Sequence, residues 1–278
     1  MIARVRGRPS LAAGLLLVGI VLLAALFAPW IAPYRPDAVA LDQRLLSPGA
    51  LHWAGTDEVG RDLFSRILWG LRASLSAGLA IVAVASLAGT LIGSVSGYVG
   101  GILDTVLMRA MDMVMALPGL VVAMALTAAL GASLSNAALA LGLLGIPYYA
   151  RVARAEALVL AGRNFVSASA VMGAGPWRQL RINIIPNLVT QVLVVMTLHL
   201  GAAILAVAAL SFIGLGAQPP ASELGMLVGS GRRFILEQWW YSVFPGLAIM
   251  LVVLAFNLLG DGLRDLVDPK SGNRSLVG

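Results

Sequence analysis

RNFVSASAVMGAGPWRQLRINIIPN, residues 163–187, is a polar, basic stretch set between two apolar runs. It carries Arg163, Arg178 and Arg181, three of the chain's 19 Lys and Arg residues, and no acid. Phe165, Ala168 and Met172 fall at i, i+3 and i+7, so residues 164–172 can form a short amphipathic helix with those three on one face. Gly173, Gly175 and Pro176 then stop it. On a loop of a membrane protein such a helix suits two roles, docking on a partner or resting on lipid headgroups. The stretch by itself leaves both open.

The flanking chain is that of an integral membrane protein. Of 278 residues, 59% are hydrophobic and 12% charged, with a mean hydropathy of +0.91. A soluble domain carries about twice that share of charge. The net charge of +6 is therefore read as membrane topology, and no nucleic-acid partner is expected. The chain has no cysteine, so neither disulfides nor thiolate chemistry are available. His52 and His199 are its only histidines, and no metal site is expected.

Hydropathy and punctuation divide the chain into six transmembrane helices. The first is the apolar run from 11 to about 32, longer than the apolar region of a signal peptide. A polar segment, 34–72, follows, with five arginines (35, 44, 61, 66 and 72) and five acids (Asp37, Asp42, Asp57, Glu58 and Asp62). The second span is expected at about 73–96, with the tight turn GYVGG at 97–101. The third is placed at about 107–130, with Pro118 as a tolerated kink. The fourth lies at about 133–152 and is kinked at Pro147. The run 188–216 is read as a fifth span plus a hydrophobic hairpin or re-entrant end. Residues 221–238 form a second outer segment. Trp239, Trp240 and Tyr241 are read as an aromatic belt opening the sixth span, which ends near 259. With the N-terminus inside, the inner segments hold 12 Lys and Arg residues and the outer ones 7, and both long outer segments have zero net charge. That asymmetry places both termini and the 163–187 loop in the cytoplasm.

A phosphate-binding loop needs glycines and a lysine, and Lys270, the only lysine, has no such glycines ahead of it. Neither HExxH nor GxSxG occurs. The chain is therefore read as a non-enzyme, with no catalytic residue and no cofactor of its own. His199 is the one histidine within a span, and ionisable groups at that depth are functional candidates. Mid-membrane acid pairs, which a proton-coupled carrier uses as a titrating relay, are missing.

A polytopic protein without an energy source borrows one, and here the loop resembles something specific. FVSASAVMG, ending at Gly173, with Ile184-Ile185-Pro186, resembles the EAA loop of ABC-importer permeases. Ser167-Ala168-Ser169 stands where that family has Glu-Ala-Ala, while Gly173 and Pro186 match in place. HWAGTDEVGRD, residues 52–62, with Ser65-Arg66, resembles the HWLGTDxxGRD block of the C-type permeases in the dipeptide, oligopeptide and nickel group. SFIGLG, residues 211–216, resembles that group's SFLGLG. NLLGDGLRD, residues 257–265, with Asp268-Pro269, resembles its NLLGDxLRDxLDP ending.

The resemblance implies an all-α polytopic membrane protein of the type I ABC-importer permease fold in the bacterial inner membrane. It divides the chain into an N-terminal part at 1–72, a permease core at 73–270 and a tail at 271–278. Its expected partners are a second, homologous permease, two ABC ATPase subunits that bind ATP and magnesium, an extracytoplasmic solute-binding protein, and membrane lipid. The coupling loop would meet the ATPase through Phe165, Ser167, Ala168, Ser169, Met172, Gly173, Ala174 and Pro186. With Ser167 in place of the glutamate, the contact is expected to rest on Phe165, Ala168, Met172 and backbone shape more than on charge. Gly55, Thr56, Asp57, Gly60, Arg61 and Asp62 are family-motif residues of the external face. His199, Val207 and Ser211 are pathway candidates, Val207 standing where many peptide permeases carry a glutamate. The expected solute is a di- or oligopeptide, with a nickel chelate as the rival, and a proton-coupled secondary carrier as the more distant one. A membrane scaffold or channel is a third reading, and no selectivity-filter pattern supports it.

Overall fold

The computed structural model describes residues 9–267. Arg4, Arg6, Arg8, Lys270 and the tail at 271–278, which enter the charge argument, lie outside the described residues, as do Asp268 and Pro269. The described chain is helical, with one isolated bridge pairing Thr56 and Asp62 and no strand among the described residues. Its main helices are α1 (Pro9–Leu26), α2 (Leu63–Val99), α3 (Gly101–Met115), α4 (Gly119–Leu130), α5 (Leu134–Ala161), α6 (Asn164–Val171), α7 (Ile185–Ile213), α8 (Leu224–Gly231) and α9 (Trp240–Val267). Three helical stretches are long and apolar enough to cross a bilayer: Leu63–Val99, Pro176–Ile213 and Trp240–Leu266. A fourth is available if α3 and α4, bent by 84° at their junction, count as one. α1 is a shorter apolar helix, and α5 carries Arg151, Arg154 and Glu156 in its second half.

Several expected elements differ. α2 begins ten residues before the expected start at 73, because Asp62 caps it: the Ser65 N–H donates to Asp62 Oδ2 at 2.7 Å. It also runs through Gly97 to Val99, so the expected turn contracts to Gly100 and Gly101. Pro118, read as a kink, ends one helix and starts another, since Gly119 follows it and neither residue sustains the ladder. The expected hairpin after the fifth span does not exist. α7 is one continuous helix because no proline follows Pro186 and Gly201 is its only glycine. It stops at Gly214, whose φ is +95°. The segment 221–238, expected as an outer one, contains α8, with Leu224, Met226 and Leu227 buried. Of the expected aromatic belt only Trp239 is exposed; Trp240 and Tyr241 are buried in a cluster with Ala54 and Leu63.

The chain packs as two compact units. The first gathers the described residues up to Leu79, residues Met124–Ala138, and those from Thr197 on. Within it α1 lies along α9 so closely that a Cβ on Gly14 would sit 2.5 Å from the Leu259 nitrogen. α8 approaches α7 as tightly, a Cβ on Gly225 falling 2.2 Å from the Ala208 carbonyl oxygen. The second unit gathers Ala80–Ala123 and Leu139–Met196. Its seam is GTLIGSVSG, residues 89–97, on α2. Cβ atoms on Gly89, Gly93 and Gly97 would stand 2.6, 2.1 and 2.6 Å from the carbonyl oxygens of Ile146, Ala150 and Arg154 on α5. Ala150, Ala153 and Ala157 complete it from the other side, all fully buried. Small residues four apart let two helix backbones meet, the packing favoured where lipid gives no hydrophobic drive between helices.

Candidate functional site: the 163–187 loop and the Asp57 knot

The 163–187 stretch folds as a short helix on a polar mount. α6 spans Asn164–Val171, and of its residues only Val166 is buried. The anticipated face is outward: Phe165 is 45% and Met172 81% exposed, with Ala168 also exposed. Val171 and Trp177 add to it at 89% and 73%. Ser167 is exposed, and Ser169 and Ala174 are half-buried. The helix closes on Gly173, φ +88°. The Gly173 N–H donates to the Ala170 carbonyl at 2.9 Å and the Ala174 N–H to the Ser169 carbonyl at 3.1 Å. That pair of bonds is the Schellman motif, and it needs a left-handed residue at the glycine position. SFIGLG closes α7 in the same way: Gly214 N–H to Ser211 O at 3.0 Å and Leu215 N–H to Leu210 O at 2.9 Å.

Gln179 holds α6 in place, a role that the sequence reading missed. It is fully buried, its Nε2 donates to the Val166 carbonyl at 3.1 Å, and its Oε1 accepts from Asn183 Nδ2 at 2.5 Å. The helix that follows is widened into a π-turn over Leu180–Ile184, with Leu180 and Ile184 buried beneath it. Pro186, exposed at the start of α7, has no N–H, and its ring crowds the carbonyl four residues back. The wider turn gives that ring room. A glutamine among arginines carries no periodic signal, so nothing in the sequence marked Gln179 as an anchor.

The motif residues expected at the external face form a second constellation, turned inward. Gly55, Thr56, Asp57, Gly60, Arg61 and Asp62 are all buried. Asp57 is its centre. Its Oδ1 accepts the N–H groups of Val59 and Arg61, both at 2.9 Å, and its Oδ2 takes Arg61 Nε at 2.6 Å and the guanidinium of Arg66. Arg66, fully buried, also donates to the Ala221 carbonyl at 3.1 Å and to Ser222 Oγ at 3.3 Å, so it ties the 52–66 segment to the turn before α8. His52 bridges Asp62 Oδ1 at 2.9 Å and Gln43 Oε1 at 3.0 Å. Tyr241 donates from its hydroxyl to Glu58 Oε2 at 2.7 Å. Gly60 has φ +80°, and a Cβ there would overlap the Ala40 carbonyl oxygen at 1.8 Å. What the segment does expose is an open cleft of about 620 Å³ lined by Arg35, Asp37, Trp69, Arg72, Pro220 and Ser222.

The pathway candidates separate. Val207 and Ser211 are buried, and His199 is half-buried. Ser211 Oγ accepts the Ala217 N–H at 3.2 Å, which fastens the SFIGLG turn.

This arrangement displays an apolar helix face on a braced mount, and a cross-linked knot shapes the other polar segment. Residues 89–273 match the family described as binding-protein-dependent transport system inner membrane component. Residues 1–48 match the N-terminal TM domain of oligopeptide transport permease C. The chain belongs to the binding-protein-dependent transport system inner-membrane components. It is 47% identical to the probable D,D-dipeptide transport system permease protein DdpC of Escherichia coli, over 97% of this chain and 90% of that protein. It is 49% identical to the dipeptide transport system permease protein DppC of Escherichia coli, over 92% and 88%. It is 42% identical to the di/tripeptide transport system permease protein DppC of Pseudomonas aeruginosa, over 94% and 88%. The chain is thus an inner-membrane permease component of an ABC transporter and not an enzyme, ATP hydrolysis being the work of partner subunits.

Proposed function

We propose that this chain forms half of the translocation pathway for di- and oligopeptides in an ATP-driven importer. The observation that carries the mechanism is the exposed apolar face of α6, displayed by Gln179 and closed by Gly173. That face would seat in an ATPase subunit, one such subunit serving each of two homologous permeases. Closure of the ATPases on ATP and magnesium would then drive the coupling helices together and switch the pathway between inward- and outward-facing forms. The names carried by the relatives favour a peptide over a nickel chelate as solute. We read six spans with both termini in the cytoplasm: α1, α2, the bent α3–α4 pair, α5, α7 and α9. The inside-positive charge asymmetry supports that reading. The sequential division at 1–72, 73–270 and 271–278 is part of it. The open cleft beside Arg72, rather than the buried knot, would then face the binding protein.

The test is reconstitution of the chain with its second permease, ATPases and binding protein in liposomes. A labelled dipeptide is expected to accumulate only with ATP and the binding protein present. Accumulation driven by a proton gradient without ATPases, or of nickel chelate but not peptide, would overturn the reading.

A further inference from the structure

α3 is an unusual component of its unit because none of its residues is buried. Apolar packing within this chain therefore does little to hold it, and polar contacts do the holding. Asp104 is the main one. Arg154 on α5 grips it with both arms, Nε to Oδ1 at 2.5 Å and Nη2 to Oδ2 at 2.6 Å. Ser96, near the end of α2, donates to the same carboxylate at 2.5 Å. Two turns further along α3, Asp112 accepts from Arg151 Nη2 at 2.6 Å. The two pairs differ in weight. Asp112 and Arg151 are about half exposed, at 51% and 49%, whereas Asp104 is 17% and Arg154 35% exposed. Exposed single-armed pairs contribute little, while paired-fork geometry fixes orientation.

Both arginines stand on the last three turns of α5, which ends at Ala161, and α6 begins at Asn164. At the same level the glycine seam presses α5 onto α2, Gly97 meeting the backbone of Arg154 itself. We infer that Asp104 and Arg154 are positioning residues for energy coupling: their forked ion pair fixes α3 to the end of α5 that carries the coupling helix, so the two helices move as one piece. The inference rests on the importer reading above. A displacement of α6 then reaches α3 through a rigid joint. Without the joint the ATPase can still hydrolyse ATP against a coupling helix that no longer carries α3 with it.

The experiment uses the full reconstituted transporter and reads dipeptide uptake and ATP hydrolysis in the same vesicles. Asp104→Asn and Arg154→Gln are each expected to leave the complex assembled and hydrolysing ATP while uptake per ATP falls about fivefold or more. The exchange D104R/R154D rebuilds the fork in reverse, with Ser96 accepting instead of donating, and is expected to recover most of the uptake. Unchanged uptake in both single variants would overturn the inference, and so would an assembled exchange variant that recovers nothing. Loss of the complex in the single variants would assign the pair to folding instead, also overturning it. Wild-type vesicles that take up no peptide would overturn the importer reading itself, a separate outcome.

Discussion

Gly173→Val is expected to abolish ATP-driven uptake while leaving the protein inserted in the membrane. The residue sits at φ +88° with nothing within 4 Å of where a Cβ would lie. Space is therefore not the constraint, and the effect is conformational. A left-handed conformation costs an L-residue about 1–2 kcal/mol, with β-branched side chains worst and asparagine best tolerated. α6 is eight residues long with one buried side chain, too little to absorb that strain, so the helix end would unwind. The two Schellman bonds from Gly173 and Ala174 would go with it, and Met172 would leave the exposed face. The spans lie outside this turn, so insertion survives. Uptake should fall in the order Asn, Ala, Val at position 173. Equal uptake across that series would show that the loop's end geometry is irrelevant to transport.

Asp57→Ala is expected to destabilise the protein by about 3–5 kcal/mol, the usual cost of leaving a buried charge unpaired. Arg66 is fully buried against Asp57, and Arg61 shares the same oxygen at 2.6 Å. Removing the carboxylate takes the counter-charge from both guanidiniums and the acceptor from two backbone N–H donors at once. The exposed pair of Arg35 and Asp37, 82% and 53% exposed, provides the contrast. Asp37→Ala should leave stability essentially unchanged. Denaturant unfolding of the two variants in the same detergent separates them, and equal loss would mean that the knot does not hold the segment.

The parts of this molecule that sequence made legible are those with a period or a breaker. Phe165, Ala168 and Met172 marked a helix face by spacing, and Gly173 marked its end. Both stand where that reading put them. What stayed hidden depends on partners distant in the chain. Asp57 and Arg66 read as members of a balanced polar segment, because nothing local shows that Ala221 and Ser222 will close over the arginine. Trp240 and Tyr241 read as lipid-interface residues by composition, but burial against Ala54 and Leu63 wins. The glycines at 89, 93 and 97 carry a legible signal: within an apolar run, small residues four apart mark a helix contact, although Gly97 alone reads as part of a turn. The supposed hairpin after the fifth span came from counting length alone, whereas a helix with no breaker simply continues beyond the thickness of the bilayer.

The central claim is that the face of α6 seats in an ATPase subunit, and the chain itself offers a clean probe of it. It contains no cysteine, so Met172→Cys creates its only thiol, at a position 81% exposed. In the assembled transporter a short thiol-to-amine crosslinker from residue 172 is expected to capture an ATPase subunit, and ATP should change the yield as the subunits close. An assembled, transport-competent complex in which residue 172 reaches no ATPase under either condition would contradict the account.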